Sequence, residues 1–214
     1  LKQLGYQIVL LGFYNEKIIN ELSENIINIK SLTKSELEIF DIMIFEYLDF
    51  ALLGNYGMRS VASLFDTPVL HFNGIYIHYN NEKSLYLPKI FYSKKLKRPL
   101  KLCEINKLNY FEFDPLHHRK SFFLNRNIMH SRSIEIFDYF QIDLIENNDD
   151  QIIYAVNEMI DLLNNKINQQ LLINNSFEQI FENFKFLLDR RDFKLYGYFS
   201  KASIKANPNF LDDK

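Results

Sequence analysis

Short apolar runs separated by helix-spaced stretches recur along the first third of the chain. Residues 7–11 (QIVLL), 26–29 (IINI), 50–53 (FALL) and 69–72 (VLHF) are the runs. Runs of this length, bounded by glycine or polar residues, predict strands buried on both faces. Between them, Ile18, Ile19 and Leu22 predict a short helix over 16–22. Leu37, Phe40 and Ile44 mark the buried face of a second helix. That helix has the clearest start in the chain, with Thr33 as N-cap, Glu36 completing a capping box, and Leu32 with Leu37 as a hydrophobic staple. A third helical segment follows residue 57 and is closed by Asp66-Thr67-Pro68. Alternation of this kind predicts an α/β fold, a Rossmann-like open parallel sheet with right-handed crossovers and flanking helices.

Beyond Asn73 the pattern weakens. Residues 74–86 read as a long loop, 88–92 as a short extended piece, 102–108 as a short helix and 139–145 as a last strand. Residues 149–163 predict an amphipathic helix, with Asp149 and Asp150 at its start and Ile152, Val156, Met159 and Leu163 along one side. A Phe-rich helix is expected over 171–188, and 196–213 reads as an irregular tail broken at Asn207-Pro208-Asn209. Residues 1–6 look like the end of a helix with Gly5 at C′. Since domains rarely begin that way, the chain is expected to be the carboxyl-terminal part of a longer protein.

Composition narrows the functional classes. With 214 residues, 47% hydrophobic and 24% charged, the chain has an ordinary globular make-up. The formal charge of −2 gives no overall drive toward nucleic acid. The single cysteine, Cys103, excludes an intrachain disulfide and fits a cytoplasmic setting. No apolar run is long enough to span a bilayer as a helix. Aromatics reach 15%, with 20 Phe and 13 Tyr, a bias that AT-rich coding explains without a binding role. Neither a Gly-x-Ser-x-Gly elbow nor a phosphate-loop GxxxxGK[ST] occurs, which disfavours serine hydrolases and P-loop enzymes.

The stretch 49–73 (DFALLGNYGMRSVASLFDTPVLHFN) concentrates the candidate chemistry. It reads as strand, glycine-bearing loop, helix, strand, which in a parallel sheet places a loop and a helix start at the carboxyl edge. Gly54 and Gly57 permit a tight turn. Gly57 would also let a ligand approach the backbone, with the amides of Met58 and Arg59 on a diphosphate and Arg59 or Ser60 adding a side chain. Asn73, leaving the next strand at the same edge, reads equally as a ligand contact and as a plain Asn-Gly turn. Lys94, Lys95, Lys97, Arg98 and Lys101 form a basic run that reads as solvated surface, and Lys89 is the better single candidate for neutralising phosphate. His117-His118 beside Asp114 has no supporting ligand at metal spacing, His71 reads as a core histidine, and Cys103 as a small buried hydrophobe.

Taken in order, LKQLGYQIVLLG, IINIKSLTKSEL and the 49–73 block resemble the nucleotide-sugar half of GT-B glycosyltransferases of the heptosyltransferase kind. LPKIFYSKKLKRPLKLCEI, NNDDQIIYAVNEMIDLL and YGYFSKASIKANPNFL resemble a bacterial glycosyltransferase family of surface-carbohydrate biosynthesis. The resemblance implies the C-terminal half of a GT-B fold plus C-terminal helices. It divides the chain into a nucleotide-sugar domain over 1–146 and a helical segment with tail over 147–214, the acceptor domain lying N-terminal to this sequence. It places Gly54, Asn55 and Gly57 against the donor diphosphate, with Asn73, Lys89 and Glu104 lining the same cleft. It implies no cofactor or metal, a nucleotide-sugar as donor substrate, a glycan or lipid-linked acceptor, no nucleic acid, and peripheral association with the inner face of the membrane. No catalytic residue follows from it, because the general base would come from the acceptor domain. In one respect the chain departs from pattern: Tyr56 stands where the family carries serine, removing a hydroxyl from the diphosphate loop. A sugar-nucleotide epimerase on the same scaffold and a non-catalytic assembly module are the alternatives, the second favoured by Tyr56.

Overall fold

The computed structural model describes residues 5–11, 33–54, 58–75, 82–106, 108, 137–166 and 197–212. The chain divides into two compact units, Leu1–Leu48 and Asp49–Lys214.

In the first unit, helix α1 (Lys34–Met43) begins where the sequence places it. The Glu36 amide donates to Thr33 Oγ1 at 3.4 Å, and the Thr33 amide donates to Glu36 Oε2 at 2.7 Å, closing the capping box. That same Thr33 holds the Glu36 carboxyl below its ordinary range, through its side chain first and its amide second. Leu37, Phe40 and Ile44 are half-buried, while Ile39, on the other side of the helix, is 63% exposed. A 3-10 turn, Ile44–Tyr47, follows and buries Phe45. Residues 7–11 depart from expectation: they contain one bridge, at Ile8, and no continuous strand, and none of them is fully buried. Apolar composition makes a strand only where a neighbouring ladder accepts it. Gly5 adopts φ +80°, the left-handed conformation that a helix C′ glycine takes. The helix expected at 16–22, the strand at 26–29 and the helix at 171–188 lie outside the described residues.

The second unit is built on a parallel sheet. Strands β1 (Ala51–Leu53), β2 (Val69–Gly74), β3 (Leu85–Pro88) and β7 (Tyr198–Phe199) lie side by side in that order. Each neighbouring pair is parallel, with Ala51 opposite Val69, Leu70 opposite Leu85 and Leu85 opposite Tyr198. Helix α2 (Met58–Leu64) connects β1 to β2. The fold class is α/β, as the alternating pattern predicts.

Strand β3 overlaps the end of the loop expected over 74–86 and the start of the extended piece expected over 88–92, and β7 lies in the expected irregular tail. All four residues of β3 are buried, and β7 has only two residues, too few for any periodicity to show. Ser200, capping the Ala202 amide with its Oγ at 3.1 Å, then starts helix α5 (Lys201–Ala206) inside the expected tail. The tail continues into the core: the Leu102 amide donates to the Phe210 carbonyl at 2.8 Å, and Asn207 Nδ2 donates to the Leu100 carbonyl at 2.9 Å.

A second, antiparallel sheet takes up the extended piece expected at 88–92 and the last strand expected at 139–145, whose pairing the sequence did not show. It consists of β5 (Arg98–Pro99), β4 (Ile90–Ser93) and β6 (Ile142–Ile145), in that order. Helix α3 (Leu102–Asn106) follows β5, and helix α4 (Asp149–Leu163) follows β6. Helix α4 is capped by a reciprocal pair between Asn148 and Gln151, and its ends match expectation. Its buried stripe is Ala155, Glu158, Met159 and Leu162, with Ile152, Val156 and Leu163 only partly covered. Leu70, Leu85, Leu87, Ala155, Met159, Leu162 and Ala202 form one apolar cluster between the parallel sheet and helices α4 and α5. Among the described residues, no helix is long and apolar enough to cross a membrane.

Candidate functional site

Because β1, β2, β3 and β7 run parallel, their carboxyl ends share one edge of the sheet. Gly54 follows β1, and Met58, Arg59 and Ser60 open α2 behind it. Asn73 lies in the last two residues of β2, Lys89 follows β3, and Ser200 follows β7. The fold therefore gathers most of the candidate residues at one edge, the position where open α/β sheets bind ligands. Asn55 and Gly57 lie outside the described residues, as does Tyr56. Helix α2 has only seven residues, too short for a strong dipole at its start.

Two of these residues are also tied to the chain between β6 and α4. Asn73 has φ +52°, and the β2–β3 register shifts between Phe72 and Gly74. The Asn73 amide donates to Asn147 Oδ1 at 3.0 Å, and the Asn147 amide donates to Asn73 Oδ1 at 2.6 Å. Asn147 Nδ2 then donates to the Pro88 carbonyl at 3.0 Å. The expected Asn-Gly turn is thus a bulged strand end whose side chain joins β2 to the entry of α4. Lys89 Nζ donates to Glu146 Oε1 at 2.8 Å, and Glu146 is 72% exposed at the rim. The Lys89 ammonium draws the Glu146 carboxyl below its usual range. The expected boundary between 146 and 147 falls within this network.

Gly74 explains why β2 and β3 approach so closely. A Cβ there would meet the Tyr86 hydroxyl oxygen at 2.5 Å and the ring carbons at 2.7 and 2.8 Å. Tyr86 is fully buried, so its ring has little room to yield. His71, also on β2, is buried with its ring centroid 6.0 Å from that of Tyr86, a core histidine as expected.

Glu104 belongs to different surroundings. Its Oε1 accepts from Arg98 Nη2 at 2.6 Å, and its Oε2 accepts from Arg98 Nη1 at 2.9 Å and from the Lys101 amide at 2.8 Å. The Arg98 guanidinium leads in holding the Glu104 carboxyl below its usual value. These partners lie on β5 and the turn into α3, where Glu104 closes the first helical turn. Lys94 and Lys101 of the basic run face Asp143 at 2.8 Å and Asp212 at 3.6 Å.

Sequence reasoning missed one polar cluster at the carboxyl end of β7. Glu158, buried on α4, accepts from Ser200 Oγ at 2.7 Å and from the Lys201 amide at 3.0 Å. Burial pushes its carboxyl pKa up, opposed by Ser200 and by the Lys201 amide. Its signal was present: Glu158 falls on the helical stripe of Ala155, Met159 and Leu162, where an acidic residue needs a buried partner. Cys103 is buried and its Sγ donates to the Asp212 carbonyl at 3.3 Å. Among the described residues, no group of His, Cys, Asp and Glu is placed to hold a metal ion; the His117-His118 pair lies outside them. No protein-family model matches this chain, and no curated protein and no solved structure matches it at a significant level.

Proposed function

We propose that this chain is the donor-binding half of a bacterial GT-B glycosyltransferase, holding a nucleotide-sugar for transfer to a glycan or lipid-linked acceptor. The observation that carries the reading is convergence: Gly54, Asn73 and Lys89 end three adjacent parallel strands at one edge. On this reading the 54–60 loop admits the diphosphate to its backbone amides, and Lys89 leaves Glu146 to meet its charge. Transfer breaks the bond from the anomeric carbon to the diphosphate oxygen, forms one from that carbon to an acceptor oxygen, and releases a nucleoside diphosphate, the acceptor hydroxyl's proton passing to a base on the acceptor side. The protein's part is to position the donor and stabilise the charge of that leaving group.

Calorimetric titration of the chain with nucleoside diphosphates tests the reading. Binding at millimolar affinity or tighter is expected, weakened roughly ten- to hundredfold by Lys89→Met, since a charge-assisted contact is worth roughly 1.5–3 kcal/mol. No heat with any nucleoside diphosphate would sink it.

A second reading, a non-catalytic assembly module, has its own observation. Asn73 and Lys89 both already bond to protein groups, Asn147 and Glu146. Nucleotide affinity without turnover in the complete protein would favour it.

A further inference from the structure

Lys89 and Glu146 form an uneven pair. Lys89 Nζ donates to Glu146 Oε1 at 2.8 Å, yet the lysine side chain is 17% exposed and the glutamate side chain 72% exposed. The lysine stem is walled in, while the carboxylate facing it stands largely in water. Behind Lys89 lies a cavity of about 10 Å³, bordered also by Asn147, Ser203 and Phe210. That is room for about one water, so the lysine has no second position to withdraw into.

The backbone is pinned on both sides of the pair. The Lys89 amide donates to the Gly74 carbonyl at 2.9 Å. Asn147, next after Glu146, exchanges hydrogen bonds with Asn73 and donates to the Pro88 carbonyl at 3.0 Å. On its other side Glu146 follows directly on β6, which ends at Ile145. A fixed frame thus delivers the carboxylate to an ammonium 57 residues away in sequence.

This asymmetry decides which partner can leave. An exposed carboxylate loses one charge-assisted bond and regains full hydration by rotating its own side chain, at little cost. A lysine whose stem is packed against protein would have to uncover apolar surface to do the same. We propose that Glu146 is a displaceable counter-ion, an internal competitor that an anionic ligand must remove from Lys89 at the carboxyl edge of the sheet. The proposal rests on the reading that Lys89 meets the donor diphosphate. Glu146 holds the ammonium at the edge before the ligand arrives and releases it in exchange for a phosphate oxygen. It also sets a threshold of charge. A singly charged ligand replaces one monoanion by another, whereas a diphosphate brings more than one charge to the same ammonium.

Calorimetric titration of the chain with the diphosphates of uridine, guanosine, cytidine and adenosine tests it, at ~0.15 M salt, where exposed charges beyond about 8 Å are screened. Glu146→Gln removes the charge at nearly constant size and should raise affinity roughly two- to fivefold, the usual weight of an exposed ion pair. Glu146→Asp keeps the charge but draws it back by one methylene, away from the walled-in ammonium, and should also raise affinity. A gain for Glu146→Gln with none for Glu146→Asp would mean that the carboxylate merely repels the ligand, and would overturn the proposal. Equal affinity of all three proteins would overturn it too, while leaving the donor-site reading intact. Binding seen only with the two variants would support both. No heat from any of the three would remove the reading and the proposal together.

Discussion

Glu158 and Glu104 both sit on helices of the second unit and both accept side-chain and backbone hydrogen bonds, yet their carboxyls shift in opposite directions. Glu158 is pressed into the apolar layer between the parallel sheet and helices α4 and α5, and burial outweighs Ser200 and the Lys201 amide. Glu104 stands at the half-exposed margin of the antiparallel sheet, where the two-pronged Arg98 bond outweighs burial. Hydrogen-bond count therefore does not set the protonation of a carboxyl here; the balance of burial against a facing cation does. The same contrast runs through the two regions. The parallel sheet is held by interdigitated apolar side chains, while Lys94–Asp143, Arg98–Glu104 and Lys101–Asp212 lie around the smaller sheet.

The largest effect should come from emptying the apolar layer. Met159→Ala removes a fully buried side chain from the α4 stripe and should cost roughly 2–5 kcal/mol in urea unfolding. Arg98→Lys, which breaks the two-pronged bond at a side chain 43% exposed, should cost about 1 kcal/mol or less once solvent screening is counted. Equal losses from the two would abolish the contrast.

Gly74→Ala should fall between them, at roughly 1–3 kcal/mol, because the added methyl meets the buried Tyr86 ring. A second substitution, Tyr86→Leu, opens space at that contact, so a Gly74→Ala penalty that persists unchanged beside it would rule out the ring as the cause.

The smallest and most discriminating effects concern pH. The folded Glu158 carboxyl has a raised pKa, so the stability it contributes is present below the unfolded value and lost as pH rises through the folded one. For Glu104 the pKa is lowered, so its contribution is present above the unfolded value and lost as pH falls through the folded one. Glu158→Gln should therefore flatten the alkaline-side decline from pH ~4.5 upward, and Glu104→Gln the acid-side decline below it. Thermal midpoints across that range that move alike in the two variants would show that the carboxyls do not differ.

Much of this chain's local structure was legible residue by residue. Thr33 with Glu36, and Asp149 at the start of a helix running to Leu163, are signals carried within a single turn, so they need nothing distant to act. The gathering of Gly54, Asn73 and Lys89 at one edge was legible only partly. The strands ending at Gly54 and Asn73 were visible, but β3, which Lys89 follows, straddles the end of an expected loop and the start of a piece expected only as extended. Glu104 was expected in that cleft through family likeness, and its bonds go instead to Arg98 and Lys101.

By itself, then, the sequence determined the α/β class, the Thr33–Glu36 cap, the core character of His71 and Cys103, and the position of the glycine-bearing loop after a strand. These follow from composition, local hydrogen bonding and apolar periodicity. Tertiary structure decided that 85–88 and 198–199 complete the parallel sheet, while 7–11 does not form a continuous strand. It also decided that Asn147 locks Asn73 and that Glu158 caps the chain after β7. The physical reason is that a ladder, a buried carboxylate and a reciprocal amide pair each need a partner dozens of residues away, and no local pattern records which partner arrives.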